Sequence, residues 1–251
     1  FLSFQTPYNS LLLYHGLGTG KTCSAIGVCE EMRTYLNQMG INKRMIIVAS
    51  PAVQNNFKLQ LFDDNLLNET NGIWNITSCI GNSLIQEVNP MNIRDISKDK
   101  ITKMINDIIK NYYHFMGYRQ FSGYISKKSK PLIDSFKNTT KFEKDSADYK
   151  RTIRQIESRV LKREFSDRLI IIDEIHNIKV SGNKEDEKTG KNLLKLAKYT
   201  NNLKLLLLSA TPMFNNVGEI KFILDLMNLN DNKPQIDIKE VFDANGNLKR
   251  N

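Results

Sequence analysis

A glycine-rich segment near the start of the chain carries the residue types needed to hold phosphate groups. Gly16, Gly18 and Gly20 permit the backbone angles with which several N–H groups converge on phosphate oxygens. Lys21 adds a positive charge for β- and γ-phosphates, and the Thr22 hydroxyl can ligate Mg²⁺. The segment therefore predicts a phosphate cradle, formed by Gly16, Leu17, Gly18, Thr19, Gly20, Lys21 and Thr22.

The cradle departs from the usual phosphate loop at one position. The usual pattern places a glycine where this chain has His15, so Gly16 and Gly18 supply the flexibility instead. A chance Gly-Lys-Thr at the start of a helix is the alternative interpretation. A second group of polar residues far downstream argues against chance.

That second group is Asp173-Glu174-Ile175-His176, which directly follows the apolar run Leu169–Ile172. Asp173 is suited to hold Mg²⁺ together with Thr22, and Glu174 to orient or deprotonate an attacking water. A cradle combined with this acidic pair predicts hydrolysis of a nucleoside triphosphate, with ATP and Mg²⁺ as the bound species.

Buried strands and amphipathic helices must position these residues, and they alternate along the first part of the chain. We predict a strand at Leu11–Tyr14, a helix from the cradle to about Met39 that Gly40 stops, and a strand at Met45–Ala49. A helix at Val53–Phe62 follows. This alternation predicts an α/β fold, with a mainly parallel sheet and helices on both faces.

The middle of the chain gives weaker signals. We predict strands at Ile73–Cys79 and Phe121–Ile125, and an amphipathic helix around Ile101–Tyr112. The polar residues 126–146 predict a loop or an insertion. A basic helix, apolar at Ile153, Ile156, Val160 and Leu161, then leads into the strand before Asp173.

The last part of the chain contains a third polar motif. After an expected exposed loop at Val180–Gly190 come a helix near Lys191–Tyr199 and a strand at Leu203–Leu208, which ends in Ser209-Ala210-Thr211. A helix at Val217–Met227 follows, and Asn245-Gly246 signals a turn. We assign residues 1–228 to one nucleotide-binding domain and 229–251 to a polar extension.

Composition and charge narrow the class of protein. The 251 residues carry a net charge of +9, and the segment from Lys127 to Arg168 has 13 Lys/Arg against 7 Asp/Glu. Such an excess suits a phosphate backbone, although a solvated helix face is the alternative. Without a signal peptide or a membrane-length apolar stretch, we expect a soluble intracellular protein. We expect its three cysteines to be reduced core thiols, in neither a disulfide nor a zinc site: Cys23, Cys29 and Cys79.

Taken in order, the three motifs resemble the first RecA-like domain of superfamily 2 helicases and translocases, of the DEAH/DExH type. The resemblance covers nearly the whole chain. It implies that Lys21, Asp173 and Glu174 act in catalysis, and that Ser209 and Thr211 couple nucleotide state to nucleic-acid grip, with His176 as their neighbour. It also implies backbone contacts to DNA or RNA through Ser50-Pro51 and Gln54-Asn55.

A closer resemblance is to the helicase-like ATPases of large nucleocytoplasmic DNA viruses. That branch includes the small subunit of the poxvirus-type early transcription factor and relatives of nucleoside triphosphate phosphohydrolase I. Besides the three motifs, Thr6-Pro7-Tyr8-Asn9 and Asp231-Asn232-Lys233-Pro234 carry this resemblance. It implies a link to viral transcription machinery, and a location in the virion or the host cytoplasm.

Two parts of such an enzyme are not recognisable in the sequence. Gln5 lies too close to Lys21 to be the adenine-reading glutamine, and the second RecA-like domain with its arginine fingers is missing. Because residue 1 is Phe, we expect a piece of a longer protein, nearly inactive alone. The alternatives are a non-catalytic nucleic-acid-binding module with a retained helicase fold and a small-molecule P-loop NTPase or kinase.

Overall fold

The computed structural model of the chain describes residues 2–3, 5–16, 18–143, 146–178, 184–212, 217–241, 243 and 249. The first half of the chain contains β1 (Ser10–Tyr14), α1 (Lys21–Gln38), β2 (Met45–Val48), α2 (Pro51–Leu61), β3 (Leu67–Thr70), β4 (Ile73–Ile76), α3 (Ser83–Val88), α4 (Lys98–Tyr112) and β5 (Tyr113–Met116). The second half contains α5 (Tyr118–Thr139), α6 (Ala147–Phe165), β6 (Leu169–Ile172), α7 (Lys184–Tyr199), β7 (Lys204–Ser209), α8 (Val217–Asn230) and α9 (Ile238–Val241).

Five of these strands form one parallel sheet in the order β1-β7-β6-β2-β5. Strands β6 and β7 are buried along their whole length, as expected for the interior of a parallel sheet. Since all five strands run the same way, the residues that follow them meet at one edge, here called the carboxyl edge.

Alternate side chains of the sheet enter two separate hydrophobic cores. Ile170 and Ile172 pack with helices α5 to α8 on one face, whereas Leu169 and Ile171 pack with α1 and α2 on the other. The predicted α/β architecture with helices on both faces is therefore confirmed. Among the described residues, no helix is long and apolar enough to cross a membrane.

The predicted strand at Ile73–Cys79 exists in shorter form, but it pairs outside the parallel sheet. Strand β4 forms an antiparallel hairpin with β3, and the turn between them has positive φ at Asn71 (55°) and Gly72 (76°). Asn-Gly is the usual pair for such a turn, and it was the sequence signal that could have predicted the hairpin. The turn expected at Asn245-Gly246 lies outside the described residues.

The strand predicted at Phe121–Ile125 is wrong, because these residues lie in α5. Phe121, Ser122, Ile125 and Ser129 are buried at helical spacing. The real strand, β5, follows α4 without a loop, so its apolar residues continue the helical pattern of α4.

Two predicted loops are also largely helical. Helix α5 continues through Pro131 to Thr139, so residues 126–139 of the expected loop at 126–146 are helix. Helix α7 begins at Lys184, so residues 184–190 of the loop expected at Val180–Gly190 are helical too, and 179–183 lie outside the described residues. In α7, an ion pair between Glu187 and Lys191 supports the exposed face, while Thr189 is buried.

The prediction of three reduced thiols is wrong for two of them. Cys23 in α1 and Cys79 after β4 form a disulfide, although they lie 56 residues apart in sequence. Gln60 Oε1 lies 3.5 Å from Cys23 Sγ and 3.4 Å from Cys79 Sγ. The fold brings the segment after β4 onto the start of α1, which sequence spacing cannot reveal. Cys29 is a free, buried thiol.

Candidate nucleotide-binding site

The phosphate cradle connects β1 to α1 at the carboxyl edge. Gly18 and Gly20 have φ angles of 77° and 85°, in the left-handed region that favours glycine. A Cβ on either residue would meet no atom within 4 Å, so backbone conformation is what requires glycine here. Thr19 Oγ1 donates a hydrogen bond to Gly16 O (2.7 Å) and closes the turn. Leu17 lies outside the described residues.

The amino terminus of α1 offers the backbone donors that an anion needs. Gly20 is the N-cap residue, and its lack of a side chain leaves the first N–H groups of the helix without a side-chain cap. No side chain in the first turn, which the structure describes completely, is acidic. The partial positive charge of the helix end is thus available to phosphate.

An ion pair joins the cradle to the end of β6. Lys21 Nζ lies 3.3 Å from Glu174 Oε1, and their side chains are 11% and 25% exposed. This contact brings the first turn of α1 directly against the acidic pair, as the two motifs predict. An anion bound in the cradle would therefore compete with this carboxylate for Lys21.

Asp173 occupies a buried position at the end of β6. Its backbone N donates to Val48 O (2.9 Å), and Tyr118 Oη donates to its carbonyl oxygen (2.8 Å). Burial, and then the negative charge of Glu174, raise the pKa of Asp173, while Lys21 opposes the shift. A cation bound beside Asp173 would stabilise its ionised form and offset the cost of burying that charge.

Glu174 has an unusual backbone and an unsatisfied side chain. Its φ is 43°, a left-handed conformation that is uncommon for a residue with a Cβ. Among the described residues, its buried Oε2 makes no hydrogen bond, although His176 Nδ1 lies 3.3 Å away. An acceptor oriented in this way is available to a water molecule or a ligand.

The third motif contacts the second through a histidine. His176 Nδ1 and Ser209 Oγ are 2.9 Å apart, and Thr211 N donates to the same hydroxyl oxygen at 3.1 Å. Ser209 is fully buried, and its carbonyl oxygen accepts from His15 N (3.3 Å) at the entrance to the cradle. The expected proximity of His176 to Ser209 is confirmed, and polar contacts therefore link the ends of β1, β6 and β7.

The donor set fits a magnesium ion. Mg²⁺ is usually held by one or two carboxylates together with phosphates and water, without a cage made of protein alone. Among the described residues, no three His, Cys, Asp or Glu side chains cluster as such a cage. The Thr22 hydroxyl in the first turn of α1, the carboxylate of Asp173 and the unbonded Glu174 Oε2 supply oxygen donors of the right kind.

Residues outside the three motifs lie in different parts of the structure: Ser50 and Gln54 at the carboxyl edge, and Gln5 beside α1. At the carboxyl edge Ser50 is the N-cap residue of α2, without a side-chain capping hydrogen bond. Gln54 Nε2 donates to Ala49 O (2.8 Å), so the Gln54 side chain is engaged by the protein itself. Gln5 lines a cavity of about 270 Å³ beside the second half of α1, away from the cradle.

Tyr118 was missed by the sequence prediction because β5 was misplaced. As the second residue after a sheet strand, it has the position that a correct strand assignment would have found.

Fold and site together define a P-loop nucleotide-binding domain of the RecA-like α/β type. The family described as "Type III restriction enzyme, res subunit" matches residues 3–214, and the chain belongs to this family.

Relatives of this chain include several proteins of large DNA viruses. "Putative ATP-dependent RNA helicase L377" of Acanthamoeba polyphaga mimivirus is 30% identical over 237 residues, which cover 90% of this chain and 18% of that protein. "Putative helicase 009L" of frog virus 3 is 25% identical over 229 residues (90% and 19%). "Nucleoside triphosphatase I" of Choristoneura fumiferana entomopoxvirus is 33% identical over 147 residues (56% and 21%). The predicted resemblance to viral helicase-like ATPases is confirmed, and the chain spans about a fifth of each relative.

Proposed function

We propose that the chain is the ATP-binding domain of a superfamily 2 helicase or translocase, which hydrolyses ATP and couples hydrolysis to binding of a DNA or RNA backbone. The observation that carries this proposal is the polar connection from Lys21 through Glu174 and His176 to Ser209. A small-molecule kinase has no need of the last two residues. The names of the viral relatives support the nucleic-acid part.

In this proposal each residue has a separate task. Lys21 and the first N–H groups of α1 hold the β- and γ-phosphates. Glu174 orients the attacking water and accepts its proton, using the oxygen that makes no hydrogen bond in the described structure. Thr22 and Asp173 would hold Mg²⁺, which supplies charge neutralisation on the phosphates.

The third motif transmits nucleotide state. Ser209 Oγ contacts both His176 and Thr211, so a shift of Glu174 on nucleotide binding can reach the end of β7. Ser50-Pro51 and Asn55, at the same edge, are proposed contacts for the nucleic-acid backbone.

We further propose that full turnover requires a second RecA-like domain, and that the activity serves viral transcription. Among the described residues, the side chains paired with Glu174 are those of Lys21 and His176, and neither is an arginine. In related phosphoryl-transfer enzymes, an arginine supplied by another domain raises the rate by about 10³–10⁵. The 251-residue chain alone is therefore expected to bind ATP but to turn it over slowly.

Nucleotide binding and hydrolysis, with and without nucleic acid, test the proposal. Lys21→Ala should lower ATP affinity at least tenfold, measured by calorimetry, because it removes the main cation at the phosphates. Lys103→Ala, an exposed change of the same charge on α4, is the matched control and should have no effect. Equal affinity of Lys21→Ala and the parent would refute the site. Hydrolysis stimulated by a small-molecule acceptor, with no response to DNA or RNA, would indicate a kinase.

A further inference from the structure

The outer face of α6 forms an open basic groove, separate from the nucleotide site. Its cavity has a volume of about 900 Å³. Four cations line it, together with the ring of Tyr199 from the end of α7; they are Arg151, Arg154, Arg159 and Lys162. We call this surface the α6 groove.

Helical geometry aligns the four cations. They lie at i, i+3, i+8 and i+11, which places them on one side of α6 over about 16 Å of helix. The opposite side is apolar: Ile153, Ile156 and Val160 lie there, and Val160 is buried. Near the end of the helix, Leu161 and Phe165 are also buried in the core shared by the sheet and helices α5 to α8. The apolar side fixes the orientation of α6, and that orientation turns the cations outward.

One carboxylate, Asp148, also lines the groove, and the four cations exceed it by three positive charges. Two carboxylates of α6 are engaged elsewhere: Glu157 pairs with Lys195 of α7 (3.0 Å) and Glu164 with Lys128 of α5 (2.9 Å). In the described part of the chain, none of the four cations forms an ion pair, and all four side chains are exposed. Arg154 Nε does donate to Lys150 O (3.2 Å), one turn earlier on α6.

The groove shares no lining residue with the nucleotide site, and its end at Lys162 and Tyr199 lies near the amino edge of the sheet. Helix α6 leads into the amino end of β6, and its last turn is held there by Lys43, whose Nζ donates to Ser166 O (2.8 Å). Tyr199 lies just before β7, at the same amino edge. A ligand in the α6 groove therefore contacts residues other than those at the carboxyl edge.

We propose that the α6 groove is a second nucleic-acid contact, which binds the phosphate backbone of a segment outside the track at the carboxyl edge. This proposal rests on the proposed helicase function. One strand of a duplex places about five phosphates along 16 Å, which suits four cations in a row. Arginines with an aromatic ring bind phosphates and bases well. An acidic protein is less favoured, because Tyr199 is the one large apolar side chain among the described residues that line the groove, whereas protein interfaces need several such anchors.

Paired charge-removing variants test the proposal. Arg154→Ala/Arg159→Ala removes two groove cations, and Lys100→Ala/Lys103→Ala on α4 removes the same charge from another exposed helix. Affinity for a fluorescein-labelled 20-base-pair duplex is measured by anisotropy from 50 to 200 mM salt. The groove variant should bind at least tenfold more weakly at 100 mM, with a salt slope smaller by about 1.8, as expected for two lost phosphate contacts.

Further arms make the outcomes decisive. Arg154→Lys/Arg159→Lys should keep most of the salt slope, and thermal melts should show that all variants fold alike. Groove and control variants with equal affinities would overturn the inference, as would a parent chain that binds no duplex at 50 mM salt. Displacement of the duplex by polyglutamate at matched ionic strength would assign the groove to an acidic protein. ATP affinity is measured in parallel, and its loss on Lys21→Ala judges the proposed function separately.

Discussion

Replacing Glu174 by glutamine should separate ATP binding from hydrolysis and should make binding tighter. Glu174 holds Lys21 at 3.3 Å, and this pair competes with a triphosphate for Lys21. The amide keeps the shape of the side chain but cannot accept a proton from water. It also removes a negative charge that repels the phosphates.

The magnitude follows from the geometry of the pair. At 3.3 Å and an effective dielectric constant of about 20, the Lys21–Glu174 attraction is roughly 5 kcal/mol, but desolvation and side-chain entropy offset most of it. For a partly exposed pair we take a net value of about 1 kcal/mol. Releasing Lys21 should then strengthen ATP binding by about fivefold. Loss of the general base should slow hydrolysis by about 10²–10⁴.

Two measurements on the same samples check both effects. Calorimetry gives the ATP affinity with Mg²⁺ present, and single-turnover hydrolysis with excess protein detects slow rates. Glu31→Gln, an exposed change of the same charge on α1, is the control and should alter neither quantity. Binding weakened more than threefold would mean that the Glu174 carboxylate helps to hold the nucleotide. Hydrolysis at the parent rate would remove Glu174 from the role of base.

Three further variants test other contacts of the described structure. His176→Ala removes one of the two partners of Ser209 Oγ and should abolish nucleic-acid stimulation of hydrolysis while ATP affinity is kept. Burial raises the pKa of Asp173 in the folded chain above the ordinary aspartate pKa of 3.8. Ionisation of this carboxyl group therefore destabilises the folded chain as the pH rises above 3.8. Asp173→Asn should therefore raise the Tm of the nucleotide-free chain at pH 7 and lose this advantage in acid. Cys79→Ser should cost up to about 4 kcal/mol of unfolding free energy by the loop-entropy estimate, and reductant should lower the Tm of the parent but not of this variant.

The sequence alone predicted those strands and helices that a short run of neighbouring residues defines. The strand before the cradle, the helix that Lys21 begins and the buried strand before Asp173 all follow from short apolar runs beside glycine or acidic residues. The meeting of these motifs could be predicted as well, since parallel strands place their carboxyl ends at one edge. The contact between His176 and Ser209 was expected from the resemblance to helicases, and the structure contains it.

What sequence missed depends on contacts distant along the chain. Strand β5 was hidden because its residues continue the apolar spacing of α4, and that error also misplaced Tyr118. Pro131 and the polar face of α5 resembled a loop, although buried Phe121 and Ile125 hold the helix against the core. The pairing of Cys23 with Cys79 depends on how the segment after β4 lies against α1.

Several groups of the candidate site are in unfavourable states, and the ligand of the proposed function would relieve them together. Asp173 is a buried carboxylate with a raised pKa, Glu174 has positive φ and an oxygen without a hydrogen bond, and Lys21 is paired with a residue that repels phosphate. A triphosphate with its cation would neutralise Asp173, draw Lys21 away and leave Glu174 to a water molecule. Because Glu174 Oε2 also lies 3.3 Å from His176, which contacts Ser209, the relief of these costs would displace the residues at the end of β7. In the proposed function, these unfavourable contacts would provide a physical route from nucleotide binding to a change in nucleic-acid grip.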